Sequence, residues 1–276
     1  MRWVVVAIFG LCLAQPALAA DMGILRGSTG YEPASRYQNW EGFYVGGQVG
    51  TGGGGANFGN TGQSLLSGAL VNTWLAQQGV GSWLTATKGD TGQALQYGAF
   101  VGYNGQWGNV VLGLETSYNH TNLNATATGR APVSGGLMLT DPSNYVHSVR
   151  ALSTSTITLT DVATVRGRAG WAVDRFLPYL MAGVAIGRAS WLTSAWAGYP
   201  DSQPGPGFTP PDPGPWNTGW VSEGKSASLI YGWSAGLGMD VAVTQNIFLR
   251  AEYEFIQFSQ MHLNLNNARV GLGVRF

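Results

Sequence analysis

Eight stretches that alternate apolar and polar residues, a scarcity of charge and the lack of any long apolar run together predict an all-β fold. The specific expectation is an eight-stranded antiparallel transmembrane β-barrel. Only 10% of the residues are charged, against about 25% in ordinary soluble domains. Aromatic residues make up 12%, and 42 of the 276 residues are glycine. No stretch after the first twenty residues reaches the ~18 consecutive apolar residues that a membrane helix requires. Without a helix, a closed ring of strands is the arrangement that satisfies every backbone group within hydrocarbon. The same alternation would serve a soluble barrel or sandwich with its apolar face turned inward. The leader, the last strand and the low charge select the membrane version.

The leader comes first. Arg2 gives a short positive region, and Trp3 to Leu13 is an apolar run of signal-peptide length, too short to span a bilayer as a helix. Ala17-Leu18-Ala19 is a small-x-small cleavage site, so residues 1–19 are read as a signal peptide and 20–39 as a periplasmic N-terminal segment. Cleavage after Ala20 is the near alternative. The single cysteine, Cys12, lies inside this leader. The mature chain is therefore expected to hold no disulfide, thiolate metal site or cysteine nucleophile.

The barrel is expected over 40–276, with strands near 41–51, 93–105, 109–120, 157–174, 178–191, 226–243, 246–258 and 265–276. In the second, Leu95, Tyr97, Ala99, Val101 and Tyr103 share one face, while Gln96, Gly98, Gly102 and Asn104 share the other. In the sixth, Leu229, Tyr231, Trp233, Ala235, Leu237, Met239 and Val241 oppose Ser228, Gly232, Ser234, Gly236, Gly238 and Asp240. A period of two sends one set to lipid and the other to the lumen. The last strand, Val270 to Phe276, needs partners on both edges, which ring closure supplies.

Connections alternate short and long, as such a barrel requires. Short turns at 105–109, 174–177 and 244–245 are read as periplasmic; 52–92, 121–156, 192–225 and 259–264 are read as extracellular loops. Both termini are then periplasmic. In the first loop Leu65, Leu66, Ala69, Leu70, Trp74 and Leu75 recur at three and four, which predicts a short amphipathic helix near 63–77 that Gly68 weakens. In the third loop seven of the twelve prolines fall between Pro200 and Pro215, and that stretch is expected to be extended and mobile. Trp40, Phe43, Tyr44, Trp107, Trp171, Phe176 and Tyr179 gather near the short turns and suit an interfacial girdle.

These residues carry a resemblance. Asn39-Trp40-Glu41-Gly42-Phe43-Tyr44-Val45-Gly46-Gly47 resembles the first-strand signature of the small surface-antigen barrels of Gram-negative outer membranes, the opacity-porin group. Residues 166–179 resemble that family's fourth strand, tight turn and fifth strand, and Leu249 to Phe255 its seventh. The resemblance covers the strands of 40–276 and implies an outer-membrane location and a structural or surface-exposed role, adhesive in some members and porin-like in others. Arg269-x-Gly271-x-x-Val274-x-Phe276 resembles the C-terminal signal read by the outer-membrane assembly machinery, with Val274 where many such signals place an aromatic. The partners implied are outer-membrane lipid and lipopolysaccharide, that machinery, and an extracellular ligand at the loops. Zero formal net charge gives no reason to expect nucleic acid.

Three motifs compete with blander readings. Gly232-Trp233-Ser234-Ala235-Gly236 matches G-x-S-x-G, which needs a strand, a sharp turn and a helix. Here the alternation runs on, so Ser234 reads as a lumen residue. Gly50 to Gly55 fits G-x-G-x-x-G without the helix or lysine that phosphate binding would need. His120, His147 and His262 stand at strand ends or in loops without a second histidine or a carboxylate at ligand spacing, and read as solvated or interfacial. No catalytic residue, metal ligand or cofactor is expected.

Charge inside the barrel is the constellation with chemical content. Alternation places Glu115, Arg166, Arg168, Arg250, Glu252, Glu254, Arg269 and Arg275 on the lumen face, since a charge facing lipid at the midplane costs roughly 2–4 kcal/mol. Hairpin order sets Glu252 and Glu254 against Arg269, and Glu115 against Arg166 or Arg168. Such a cluster is either a structural ion-pair plug or a rearrangeable gate in a narrow pore. The functions open at this stage are a structural or surface-interaction barrel, a small-solute porin, and a lipid-modifying enzyme.

Overall fold

The computed structural model describes residues 39–84, 87–131, 137–142, 144–199, 202–204, 216–217, 220–259 and 262–276. The expected leader, residues 20–38 and nearly all of the proline-rich stretch lie outside the described residues.

Eight long strands form the wall: β1 (Gly42–Gly59), β2 (Ala94–Trp107), β3 (Val110–Ala131), β4 (Tyr145–Trp171), β5 (Phe176–Tyr199), β6 (Val221–Ala242), β7 (Ile247–Phe258) and β8 (Leu263–Arg275). Each pairs antiparallel with its neighbour in sequence. β8 then pairs with β1, from Tyr44 opposite Arg275 to Ala56 opposite Leu263, and closes the ring. Closure leaves no edge through the level that lipid covers. The Phe276 amide donates to the Phe43 carbonyl (2.9 Å), which extends the seam by one more bond.

The period of two sorts the faces. Leu95, Val101, Leu114, Leu180, Leu237, Leu249 and Leu272 all point outward and are about half exposed or more. Such a continuous apolar belt is the lipid face of a barrel. Large inward side chains sit opposite glycines. A Cβ on Gly238 would lie 2.5 Å from the Tyr179 ring, so glycine on the lumen face makes room for the filling of an eight-stranded ring.

The strands reach further than apolar alternation indicates. β1 continues to Gly59, β3 to Ala131 and β5 to Tyr199, while β4 starts at Tyr145 and β6 at Val221. Much of what reads as loop at 121–156 and 192–225 is therefore wall. Two physical reasons apply. Beyond the belt the outer face is polar and the inner face is small, as in Thr126 and Thr128 beside buried Ala125 and Ala127, so contrast is lost. Register also slips at a bulge between Leu159 and Asp161, which moves the inward set of β4 from Val162 and Thr164 to Leu159 and Ile157. A bulge resets the phase on which pattern reading depends.

The first loop folds over the mouth. α1 (Thr61–Ala69) and α2 (Trp74–Gln77) are followed by a 3₁₀ turn at Val80–Trp83, instead of one helix over 63–77. The break falls at Asn72, whose φ of 67° is left-handed, and Thr73 caps α2 by accepting from the Ala76 amide (3.3 Å). Leu66, Leu70, Leu75, Val80 and Leu84 bury themselves against Val149, Ala151, Ala195, Ala197 and Tyr199 of the wall.

The lumen is thus layered. At the short-turn end lies an aromatic floor of Trp40, Tyr44, Phe100, Tyr179 and Phe248. Charged residues come next, then buried Gln48, Gln96, Ser117, Asn119, Thr164 and Asn267. Above these is an apolar layer that includes Leu123, Ile157, Leu159, Ile230, Ile256, Phe258 and Leu265. The helical lid closes the long-loop end.

Candidate functional site

The charged layer is built from five strands of the ring. β3 supplies Glu115, β4 Arg166 and Arg168, β6 Asp240, β7 Arg250, Glu252 and Glu254, and β8 Arg269. All eight side chains are buried. Four guanidiniums face four carboxylates, so the layer is formally neutral.

Arg166 is the hub. Its guanidinium bonds Glu115 on the neighbouring strand, Glu254 at 2.9 Å and Glu252 at 3.0 Å on the opposite wall. Those last contacts cross the lumen. Glu115 in turn accepts from Arg250 at 2.7 Å and Arg168 at 3.3 Å. Asp240 takes Arg168 at 2.6 Å and the Arg250 Nε at 2.9 Å. Arg269 closes the set on Glu254 and, at 3.3 Å, on Glu252. The planar fork of arginine allows one side chain to hold several carboxylates at once.

Aromatic groups bind this layer to the floor. The Tyr44 hydroxyl donates to Glu115 (2.8 Å) and the Tyr179 hydroxyl to Glu252 (2.7 Å). The Arg168 guanidinium lies 3.8 Å from the Tyr179 ring centre and that of Arg250 4.0 Å from the Phe100 ring centre, within range of a cation–π contact. Each carboxylate therefore has charged or hydroxyl donors, which is the condition for keeping ions in a dry interior.

Of the residues that alternation places on the lumen face, Glu115, Arg166, Arg168, Arg250, Glu252, Glu254 and Arg269 form this one network. Arg275 stands apart, bonded to the Gln245 carbonyl with its guanidinium 5.3 Å from the Trp40 ring centre. Asp240, which alternation also sets on the lumen face of its strand, is not among the charge-cluster residues expected from the sequence, although the short β6–β7 turn puts it opposite Arg250 by register. Counting back from Thr244-Gln245 is the signal that finds it. Gly271 lies opposite Gln48 on β1, Val274 is on the outer face, and Phe276 is exposed.

The aromatic girdle is corrected. Phe43, Trp107, Trp171 and Phe176 face outward, but Trp40, Tyr44 and Tyr179 are buried in the lumen, on the other parity of their strands. Among the histidines His147 is corrected as well, whereas His120 and His262 lie at the surface. His120 meets Asp161 at 2.9 Å on the outer wall, and Asp161 also accepts from the Tyr118 hydroxyl (2.6 Å). His147 is fully buried among Trp74, Tyr145 and Tyr199, with Asp141 at 3.1 Å. Both carboxylates come from hairpin pairing, which separation along the chain hides. Ser234 sits inside the continuous strand β6 and is buried, with no strand-to-helix turn. Among the described residues no group of three or more His, Asp or Glu side chains is placed to hold a metal ion.

A closed antiparallel ring of eight strands, an apolar outer belt and an ion-paired interior define an integral β-barrel membrane protein. The chain belongs to the family described as the outer membrane protein beta-barrel domain, whose profile matches residues 5–276. It is 27% identical over 113 residues to the 25 kDa outer-membrane immunogenic protein of Brucella ovis, a match covering 41% of this chain and 42% of that one. It is 24% identical over 257 residues to the 22 kDa outer membrane protein of Rhizobium leguminosarum bv. viciae, covering 88% of this chain and 82% of that one. The chain thus matches less than half the length of the Brucella protein. Solved structures that resemble it include the N-terminal β-barrel domain of Pseudomonas aeruginosa OprF, with a TM-score of 0.36, 11% identity and coverage of 86% of this chain and 98% of that one. Neisserial surface protein A gives a TM-score of 0.34 at 12% identity, with coverage of 85% and 97%.

Proposed function

We propose that this protein is a structural or surface-interaction barrel of the outer membrane whose lumen is closed, rather than a solute pore or an enzyme. The observation that carries this reading is the neutral layer of four arginines and four carboxylates, joined across the lumen by Arg166. An ion entering it would have to displace charge-assisted bonds between buried side chains, which are costly to leave unpaired. It would then meet the apolar layer around Ile230, Ile256 and Phe258, which offers no hydration at all.

In this reading the short turns and both termini are periplasmic, and the lid and long strands project from the cell. The outer belt contacts membrane lipid and lipopolysaccharide, and the projecting wall is available to an extracellular ligand. The assembly machinery reads Arg269, Gly271, Val274 and Phe276 before folding, because the folded ring buries Arg269 against Glu252 and Glu254.

Single-channel recording of the purified barrel in planar bilayers tests closure. The expected record is flat at physiological salt. Regular conductance steps that survive extraction and re-reconstitution would favour the porin reading. Steps that appear only in Glu115→Ala or Arg166→Ala would favour the gate. Lipid A composition in cells lacking or overproducing the protein tests the enzyme reading, and the expected result is no change.

A further inference from the structure

Above the apolar layer the wall is uneven. β7 and β8 stop at Phe258 and Leu263, and the Ser259 amide donates to the Tyr231 carbonyl, so this hairpin ends level with Tyr231. β6 continues for another ten residues to Val221. Among the described residues Val221–Ile230 pairs only with β5. On the other side of the gap β1 rises to Gly59, braced by the short strand Thr87–Asp90. Among the described residues the strand ladder therefore has a notch between β1 and β6 above the end of the β7–β8 hairpin, with α1 packed against β6 beside it. Leu229, on the edge of the notch, is the last large apolar residue on the outer face of β6, so the notch opens at the upper margin of the belt.

A cavity of about 620 Å³ lies behind it, walled by Phe58, Ile157 and Trp191 and rimmed by Asn57, Asn60, Thr61, Ser64, Thr193 and His262. Among the described residues its lining is mostly hydrocarbon and aromatic, with amide and hydroxyl groups and one imidazole at the rim and no carboxylate, lysine or arginine. The lid holds it open. α1 comes so close to β4 that a Cβ on Gly62 would lie 2.8 Å from Ser153, while Leu66 and Leu70 pack away from the cavity into the lid cluster. Below, Ile157 belongs to the apolar layer that separates the cavity from the ions. The cavity is a cup with a floor, in the size range of small-molecule sites, with an apolar interior and few polar groups that converge.

We infer that this cup binds a neutral, largely apolar small molecule bearing one hydroxyl, carbonyl or amide end, admitted sideways from the membrane margin. A charged group is disfavoured inside the cup: apart from His262 at the rim, no ionisable side chain is among the described lining residues, so desolvation of an ion there would go uncompensated. A neutral polar end is matched by the Asn60, Thr61 and Ser64 groups on the approach to the lid, and a ring or chain by Trp191, Phe58 and Ile157. The closed floor makes this a binding site and not a channel. The inference does not depend on closure of the charged layer, which bilayer recording tests separately.

The test uses the full barrel in lipid nanodiscs, with 2-naphthol as the neutral probe and 2-naphthalenesulfonate as its charged analogue. Binding is read by saturation-transfer NMR and equilibrium dialysis against empty nanodiscs. Saturable 2-naphthol binding above the empty-disc background is expected, with the sulfonate at least tenfold weaker. Thr193→Trp, which fills the cup, and Trp191→Ala, which removes its wall, should each weaken 2-naphthol at least tenfold. The heat-modifiable gel shift shows whether each variant is folded, and Ser64→Phe provides a filling substitution on the lid instead of the wall. No saturable binding in the wild type would overturn the proposal. Equal binding of the sulfonate, or undiminished binding in the folded filled variants, would overturn it as well.

Discussion

The two halves of the lumen are enclosed by the same eight strands and are filled in opposite ways. Toward the short turns the interior is four arginines and four carboxyl side chains over an aromatic floor. Toward the long loops it is mostly hydrocarbon, under a lid of two helices. The difference follows from what each half can tolerate. Within the belt the wall is regular and glycine-rich, so long side chains can reach across and meet partners fixed by register. Beyond the belt the wall is bulged and uneven, and positions are less exact. Hydrocarbon needs only volume, whereas an ion pair in a dry interior needs geometry. The ionic half should therefore be brittle and the apolar half forgiving.

Substitutions in each half test that contrast, each read by urea unfolding of the lipid-reconstituted barrel with the heat-modifiable gel shift as the folded-state marker. The largest effect is expected at Glu115, which accepts from Arg166, Arg168 and Arg250. Glu115→Ala strands guanidiniums that cannot discharge by losing a proton, and should cost about 3–5 kcal/mol. The double variant Glu115→Leu with Arg166→Met removes one charge of each sign and should be less destabilised than Glu115→Ala. If the double variant is the worse of the two, the layer is not held together by charge balance.

Next comes Arg166→Lys. A lysine keeps the charge but lacks the fork that serves Glu115, Glu252 and Glu254 together, and a loss of about 2 kcal/mol is expected from the missing charge-assisted bonds. In the apolar half the comparable conservative change, Ile256→Leu, should cost less than about 1.5 kcal/mol. Equal losses at these two sites would erase the distinction between the halves. The smallest effect belongs to the outer wall, where Asp161 meets His120 at a partly exposed site. Asp161→Asn should stay within about 1 kcal/mol, as exposed pairs do. A loss as large as that at Glu115 would mean that the outer wall is as rigid as the core.

Residue pattern is enough to specify the ring and the side to which each strand turns its charge. A strand has only two faces, lipid rejects charge, and short turns force neighbours to pair. Those constraints are local, and they suffice to place Glu115, Arg166, Arg168, Arg250, Glu252, Glu254 and Arg269 inside. They also set Glu252 and Glu254 opposite Arg269 through one hairpin. The contacts that cross the lumen, such as Arg166 to Glu254, emerge with the folded ring, because closure sets which distant strands face each other. The folded ring also decides which aromatic residues fill the floor, since one step of parity separates Phe43 outside from Tyr44 within. The height of the wall, the bulge at 159–161 and the cup beneath the lid were beyond the pattern for a related reason. Once lipid no longer covers the outer face, alternation loses its contrast, and packing alone sets where the strands end.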